Sequence, residues 1–81
     1  MTMERVREII SEFLQVPAGE IGDDFSPEHT SAWSSMKHME IVMALETEYG
    51  IRFDAEEIPK LIEFGVLCDR VQAKVGEKDN D

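Results

Sequence analysis

The chain is poor in basic residues, cysteine and aromatic rings, and it has no long apolar run. Eight Lys and Arg stand against eighteen Asp and Glu, a formal net charge of −10. That sign repels nucleic acid and anionic lipid and favours partners with basic surfaces. The single cysteine, Cys68, cannot form an internal disulfide. A reducing, cytoplasmic setting is therefore expected, with stability drawn from packing. No segment approaches the roughly 18 uninterrupted apolar residues of a membrane span. The opening M-T-M-E-R-V-R-E mixes both charge signs and does not read as a signal peptide. His29, His38 and Cys68 are too scattered for a metal-ligand spacing, and Asp23-Asp24 lacks the alternating acids and later glutamate of a calcium loop.

What remains is enough for one small domain. Its 81 residues are 42% apolar, and a chain of that length buries about 60 to 65% of the surface exposed on unfolding. That supports a single core, without room for a deep pocket and a second lobe, so an autonomous enzyme is not expected. The charge is uneven: 19–35 carries Glu20, Asp23, Asp24 and Glu28 and no Lys or Arg. Solubility is the plain use of such a surface, and steering of a partner the sharper one.

Helical periodicity runs from Thr2, a candidate cap, through Met3, Val6, Ile9, Ile10, Phe13 and Leu14 to the stop at Val16-Pro17. A long connection, 17–34, follows, with Ser26-Pro27 suited to starting a short turn and with Phe25 and Trp33 as anchors to the core. The strongest helix spans 35–49 and is closed by Gly50. At about 100° per residue, Met39, Ile41, Val42, Leu45 and Tyr49 form its core face. Met36, Glu40, Met43 and Thr47 fall on another stripe, where two methionines exceed the needs of packing. Asp54 and Glu57 have capping-box spacing, so a short third helix is predicted from Ala55, disturbed by Pro59. Phe64, Leu67, Cys68, Val71 and Val75 trace a last helix ending at Gly76. Cys68 lies on its apolar stripe and reads as a small buried hydrophobe. The predicted fold is all-α: a small four-helix bundle of three longer helices and a short third one, with a long loop between helices one and two. Residues 1–76 form the domain and 77–81 a disordered acidic tail.

Ser35, at the head of the second helix, is the residue to explain. A serine there is ordinarily a cap. The unpaired N–H groups and positive dipole end of a first helical turn would also stabilise a phosphate attached to it. Ser35 and His38, three residues apart, superficially suggest a nucleophile and base. Projection instead places His38 near the core face, and neither an orienting third residue nor an oxyanion hole is indicated, so a hydrolase is not expected.

The stretch W-S-S-M-K-H-M-E-I-V-M-A-L-E-T-E-Y-G-I, from Trp33 to Ile51, resembles the second helix of acyl carrier proteins and the related peptidyl carriers. The resemblance extends over most of the chain: the long first loop, the E-x-E-aromatic-Gly close at Glu46 to Gly50, the short acidic segment Asp54 to Ile58, and a fourth amphipathic helix. It implies that Ser35 receives 4′-phosphopantetheine from coenzyme A through a separate phosphopantetheinyl transferase. The arm's thiol would then carry an acyl or aminoacyl group as a thioester to acyl-transferring, condensing or ligase enzymes. Met36, Glu40 and Met43, with Thr47 on the same stripe, match the family's recognition helix. Glu46, Glu48, Asp54, Glu56 and Glu57 extend the acidic surface that partners read through basic residues.

Three positions depart from the family. Ser34 stands where aspartate usually precedes the modified serine, removing a charge where processing enzymes dock; Met36 replaces the usual leucine; Glu63 replaces a serine or threonine cap. Ser34 is also the rival for modification, but a shift by one residue would move the hydroxyl about 100° around the helix. Trp33 and His38 make the chain resemble the stand-alone carriers of specialised pathways, polyketide or peptide-like, more than the housekeeping fatty-acid carrier. The competing reading is a carrier-like helical adaptor that is never modified. A monomer is expected for so small and acidic a domain.

Overall fold

The computed structural model describes residues 2–79, and these form three α-helices without a strand: α1, Thr2–Leu14; α2, Ser35–Tyr49; α3, Phe64–Asp79. Three short 3₁₀ turns, Ala18–Glu20, Pro27–His29 and Ile58–Lys60, punctuate the connections. Val6, Ile9, Ile10 and Leu14 of α1, Ile41, Val42 and Leu45 of α2, and Phe64, Leu67, Cys68 and Val71 of α3 meet in one buried core. Their i, i+3, i+4 spacing gives each helix one apolar stripe, and burying three stripes together is what holds these short helices.

Most helix boundaries follow the local chemistry. Gln15, in the left-handed region at φ 59°, ends α1, while Ser11 Oγ donates to the Val16 carbonyl at 2.6 Å. Thr2 lies inside the first turn of α1 and not at its cap. Gly50 at φ 63° closes α2, and the Ile51 N–H returns to the Glu46 carbonyl. A glycine is needed there because that φ strains any residue with a Cβ.

The long connection is pinned at both ends. Phe25 and Trp33 are buried, as expected of its anchors, and their rings stack 6.0 Å apart. Ser26 and His29 form a reciprocal capping box around the Pro27–His29 turn. Near its middle, the Phe25 and Asp23 carbonyls each accept a hydrogen bond of 2.9 Å, from the Phe64 and Gly65 N–H groups respectively. The loop thus caps α3, supplying acceptors for donors that a helix start leaves unpaired. A Cβ on Gly65 would stand 3.0 Å from the Asp23 oxygen, so a side chain there would have to push that carbonyl back by a few tenths of an ångström.

Two expectations need correction. The third helix is not an α-helix: residues 55–57 form a turn and only Ile58–Lys60 makes a 3₁₀ segment. Pro59 has no N–H to give and restricts Ile58, so α-helical pairing cannot propagate. Half of the expected capping box is present, since the Asp54 N–H donates to Glu57 Oε2 at 2.8 Å. The last helix runs through Gly76 to Asp79, so the boundary drawn between 76 and 77 falls within α3. Asn80 and Asp81, the end of the expected tail, lie outside the described residues.

Candidate attachment site and recognition face

The two serines at the start of α2 have separate jobs. Ser34 is the N-cap: its backbone is extended at φ −82° and ψ 173°, its Oγ accepts from the Lys37 N–H at 3.2 Å, and its carbonyl accepts from the His38 N–H at 2.8 Å. Ser35 is the first helical residue, exposed, with its hydroxyl free of the cap. The N–H groups of Ser35 and Met36 belong to the first turn, where geometry gives them no intrahelical acceptor. A hydroxyl here is presented outward at the positive end of a helix.

A groove of about 390 Å³ opens beside it, lined by Ser34, Ser35, His38 and Met39 of α2, Trp33 and Pro27 of the loop, and Ile58, Pro59 and Ile62 opposite. Most of this surface is apolar. Met39 belongs to that groove: it was expected in the core and is instead 44% exposed. The reason lies in the short 3₁₀ segment, which stops short of covering this edge of α2 as a full helix would.

His38 is half-buried, and both its ring nitrogens are engaged. Trp33 Nε1–H donates to Nδ1 at 3.1 Å, and Nε2 lies 2.8 Å from the Ile58 carbonyl. A carbonyl can only accept, so Nε2 carries the proton and the Nδ1 lone pair is already used. The ring has two orienting partners that were not foreseen, and neither nitrogen is left to take a proton from Ser35.

The outward stripe of α2 emerges as projected. Met36 and Met43 are 74% and 60% exposed, and Thr47 and Glu48 are exposed as well. Several of the charges are partnered within the chain. Glu40 pairs with Lys37 at 3.3 Å, and Glu48 with Arg5 of α1 at 3.2 Å. Asp54 and Glu56 are exposed. Glu57, grouped with them from the sequence, turns inward to contact Lys74 at 2.9 Å and Arg70 at 3.1 Å. The Asp54 N–H, then Lys74 and Arg70, hold its carboxyl far below the ordinary range, at about 2. The sequence could not show this, because both cations come from α3. Cys68 is fully buried, and desolvation pushes its thiol up to about 11, the opposite of a reactive cysteine.

Ser35 is thus an exposed hydroxyl at a helix start, beside a mostly apolar groove. No family model matches the chain. Among solved structures it is similar to the solution structure of the holo acyl carrier protein of Geobacter metallireducens. The two are 28% identical with a TM-score of 0.86, over 98% of this chain and 91% of that one. The chain is an acyl-carrier-protein-like domain, and it is a carrier protein rather than an enzyme.

Proposed function

We propose that the chain is an acyl carrier protein that holds an acyl or aminoacyl intermediate as a thioester on 4′-phosphopantetheine attached to Ser35. The observation that carries this reading is the division of labour between the serines. Ser34 meets the cap requirement that would otherwise occupy a hydroxyl at this place, and Ser35 is left outward-facing at the groove. The residues present suit the group. A phosphodiester on Ser35 Oγ would sit against first-turn N–H groups, with no acidic residue in that turn to repel it. The arm, when attached, supplies the thiol that Cys68 cannot.

Ser34 supports this arrangement in place of the usual aspartate, because hydroxyl and carboxylate both cap. What the substitution removes is a negative charge beside the modified oxygen. The transferase and later partners then meet Met36, Met43 and Thr47 as the near contacts, with Glu40, Glu48, Asp54 and Glu56 around them as the charged surroundings that basic surfaces read. Glu57 serves the same surface indirectly by fixing the segment that bears Asp54 and Glu56. The cargo belongs to fatty-acid, polyketide or related specialised biosynthesis in the cytoplasm, and the carrier acts as a monomer.

Intact mass after incubation with coenzyme A and a broad-specificity transferase tests the assignment. A gain of one phosphopantetheine is expected for the parent and for Ser34→Ala, and none for Ser35→Ala. No gain with several transferases would sink the proposal, and a gain lost in Ser34→Ala alone would move the site.

A further inference from the structure

His38 joins three parts of the chain that meet at the groove. Its Nδ1 holds Trp33 at the end of the long loop; its Nε2 holds the Ile58 carbonyl, on the opposite wall; its backbone belongs to the first turn of α2. The Ile58 carbonyl also accepts the Leu61 N–H at 3.1 Å, the bond that closes the 3₁₀ turn. The imidazole is thereby tied to the backbone bond that shapes the wall. Along α2, Val42 and Leu45 follow His38 at i+4 and i+7, both fully buried, so His38 stands at the outer end of the core stripe. A chain extending inward from the groove along α2 meets this ring before it meets the core. Trp33 is the protein's only tryptophan and is buried, with Phe25 stacked on it. The loop side of the opening is therefore blocked by packed rings.

We propose that His38 is a positioning and specificity-determining residue: through its Nε2 bond to the Ile58 carbonyl it holds the Ile58–Ile62 wall against α2 and bars the groove from the core, limiting how long an apolar cargo on Ser35 can be seated. The cargo half of this inference rests on the attachment proposed above, whereas the wall half concerns the unmodified chain. The two bonds of the ring can be separated. Asparagine places an amide oxygen near the position of Nδ1 and keeps the acceptor for Trp33, while glutamine places an amide nitrogen near Nε2 and keeps the donor to Ile58. A residue that only fills space would not distinguish these variants.

In the unmodified protein, the Leu61 amide reports on the wall and the Trp33 indole N–H on the other bond. His38→Asn is expected to speed Leu61 amide exchange at least threefold with the indole signal retained. His38→Gln should do the reverse. Equal Leu61 exchange in both variants overturns the positioning role, whether or not Ser35 accepts an arm. In the second arm of the experiment, butyryl to dodecanoyl groups are loaded from their coenzyme A thioesters, and the Met39, Ile62, Val42 and Leu45 methyl signals are followed. In the parent and His38→Gln, shifts at Met39 and Ile62 should grow with chain length and then stop, with Val42 and Leu45 unmoved. In His38→Asn, the longer chains should reach Val42 and Leu45. Longer chains that move the Val42 and Leu45 signals equally in all three proteins overturn the length limit. Failure of Ser35 to load, seen by mass, counts against the attachment alone.

Discussion

Replacing Glu57 by glutamine tests whether the irregular segment between α2 and α3 is held by an ionic clamp. The carboxylate accepts the Asp54 N–H at 2.8 Å and pairs with Lys74 and Arg70, and its side chain is only 17% exposed. Its pKa falls from 4.5 to about 2. At about 1.4 kcal/mol per pH unit, that fall corresponds to at most about 3.5 kcal/mol. The Arg70 side chain is 42% exposed, so solvent screening reduces its part. A glutamine oxygen can still accept the Asp54 N–H, but Lys74 would be left enclosed without its anion. Together these give about 2 kcal/mol for Glu57→Gln at pH 7. Because the folded-state pKa is lowered, the contribution is complete above 4.5 and is lost as the pH falls toward about 2. Urea unfolding of both proteins from pH 7 to pH 2 checks this. The gap between them should close to below about 0.5 kcal/mol at pH 2. Taking the difference cancels the titration of the other carboxylates, whose mutual repulsion acid relieves. A gap below about 0.5 kcal/mol at pH 7, or one that does not change with pH, would refute the clamp.

Gly65→Ala should cost about 1 to 2 kcal/mol in urea unfolding despite alanine's higher helix propensity, because the new Cβ meets the Asp23 oxygen at 3.0 Å; an unchanged midpoint would mean the loop gives way freely. Ser34→Ala should lose about 1 kcal/mol of cap energy, and Ser34→Asp should keep the cap and raise the transferase rate; equal stability of Ser34→Ala and the parent contradicts the cap. Met43→Gln and Glu40→Lys should each weaken transferase binding with stability within about 0.5 kcal/mol of the parent, and the Glu40→Lys effect alone should shrink in high salt; unchanged kinetics in both variants would remove α2 as the recognition face. Cys68 should resist a thiol reagent in the native unmodified chain and react on unfolding; rapid native labelling would show that the core opens there.

Residues close in sequence fixed what could be read early. The apolar stripes of α1, α2 and α3, the left-handed Gly50, the Ser26-Pro27 turn and the outward methionines all follow from periodicity and from backbone rules acting within a few positions. Ser35 stood out for the same reason, since a helix start is a local event. The third helix, expected from the capping spacing at Asp54 and Glu57 and expected to be disturbed by Pro59, is reduced to a turn and a 3₁₀ segment because the missing N–H prevails.

What the chain pattern left open depends on partners distant in sequence. Met39 has an apolar side chain at a core-like angle, yet it lines a groove because the segment across from it is a 3₁₀ turn and not a covering helix. Glu57 looked like one more surface acid until α3 brought Lys74 and Arg70 against it. His38 became an oriented, fully bonded ring only where Trp33 and the Ile58 carbonyl converge on it from both sides. The sequence by itself determined the helices, the outward stripe and the serine pair, because those obey interactions within one or two turns. Only the tertiary structure decided that Glu57 is consumed inside the protein and where the groove lies, because each is set by groups that folding alone makes neighbours.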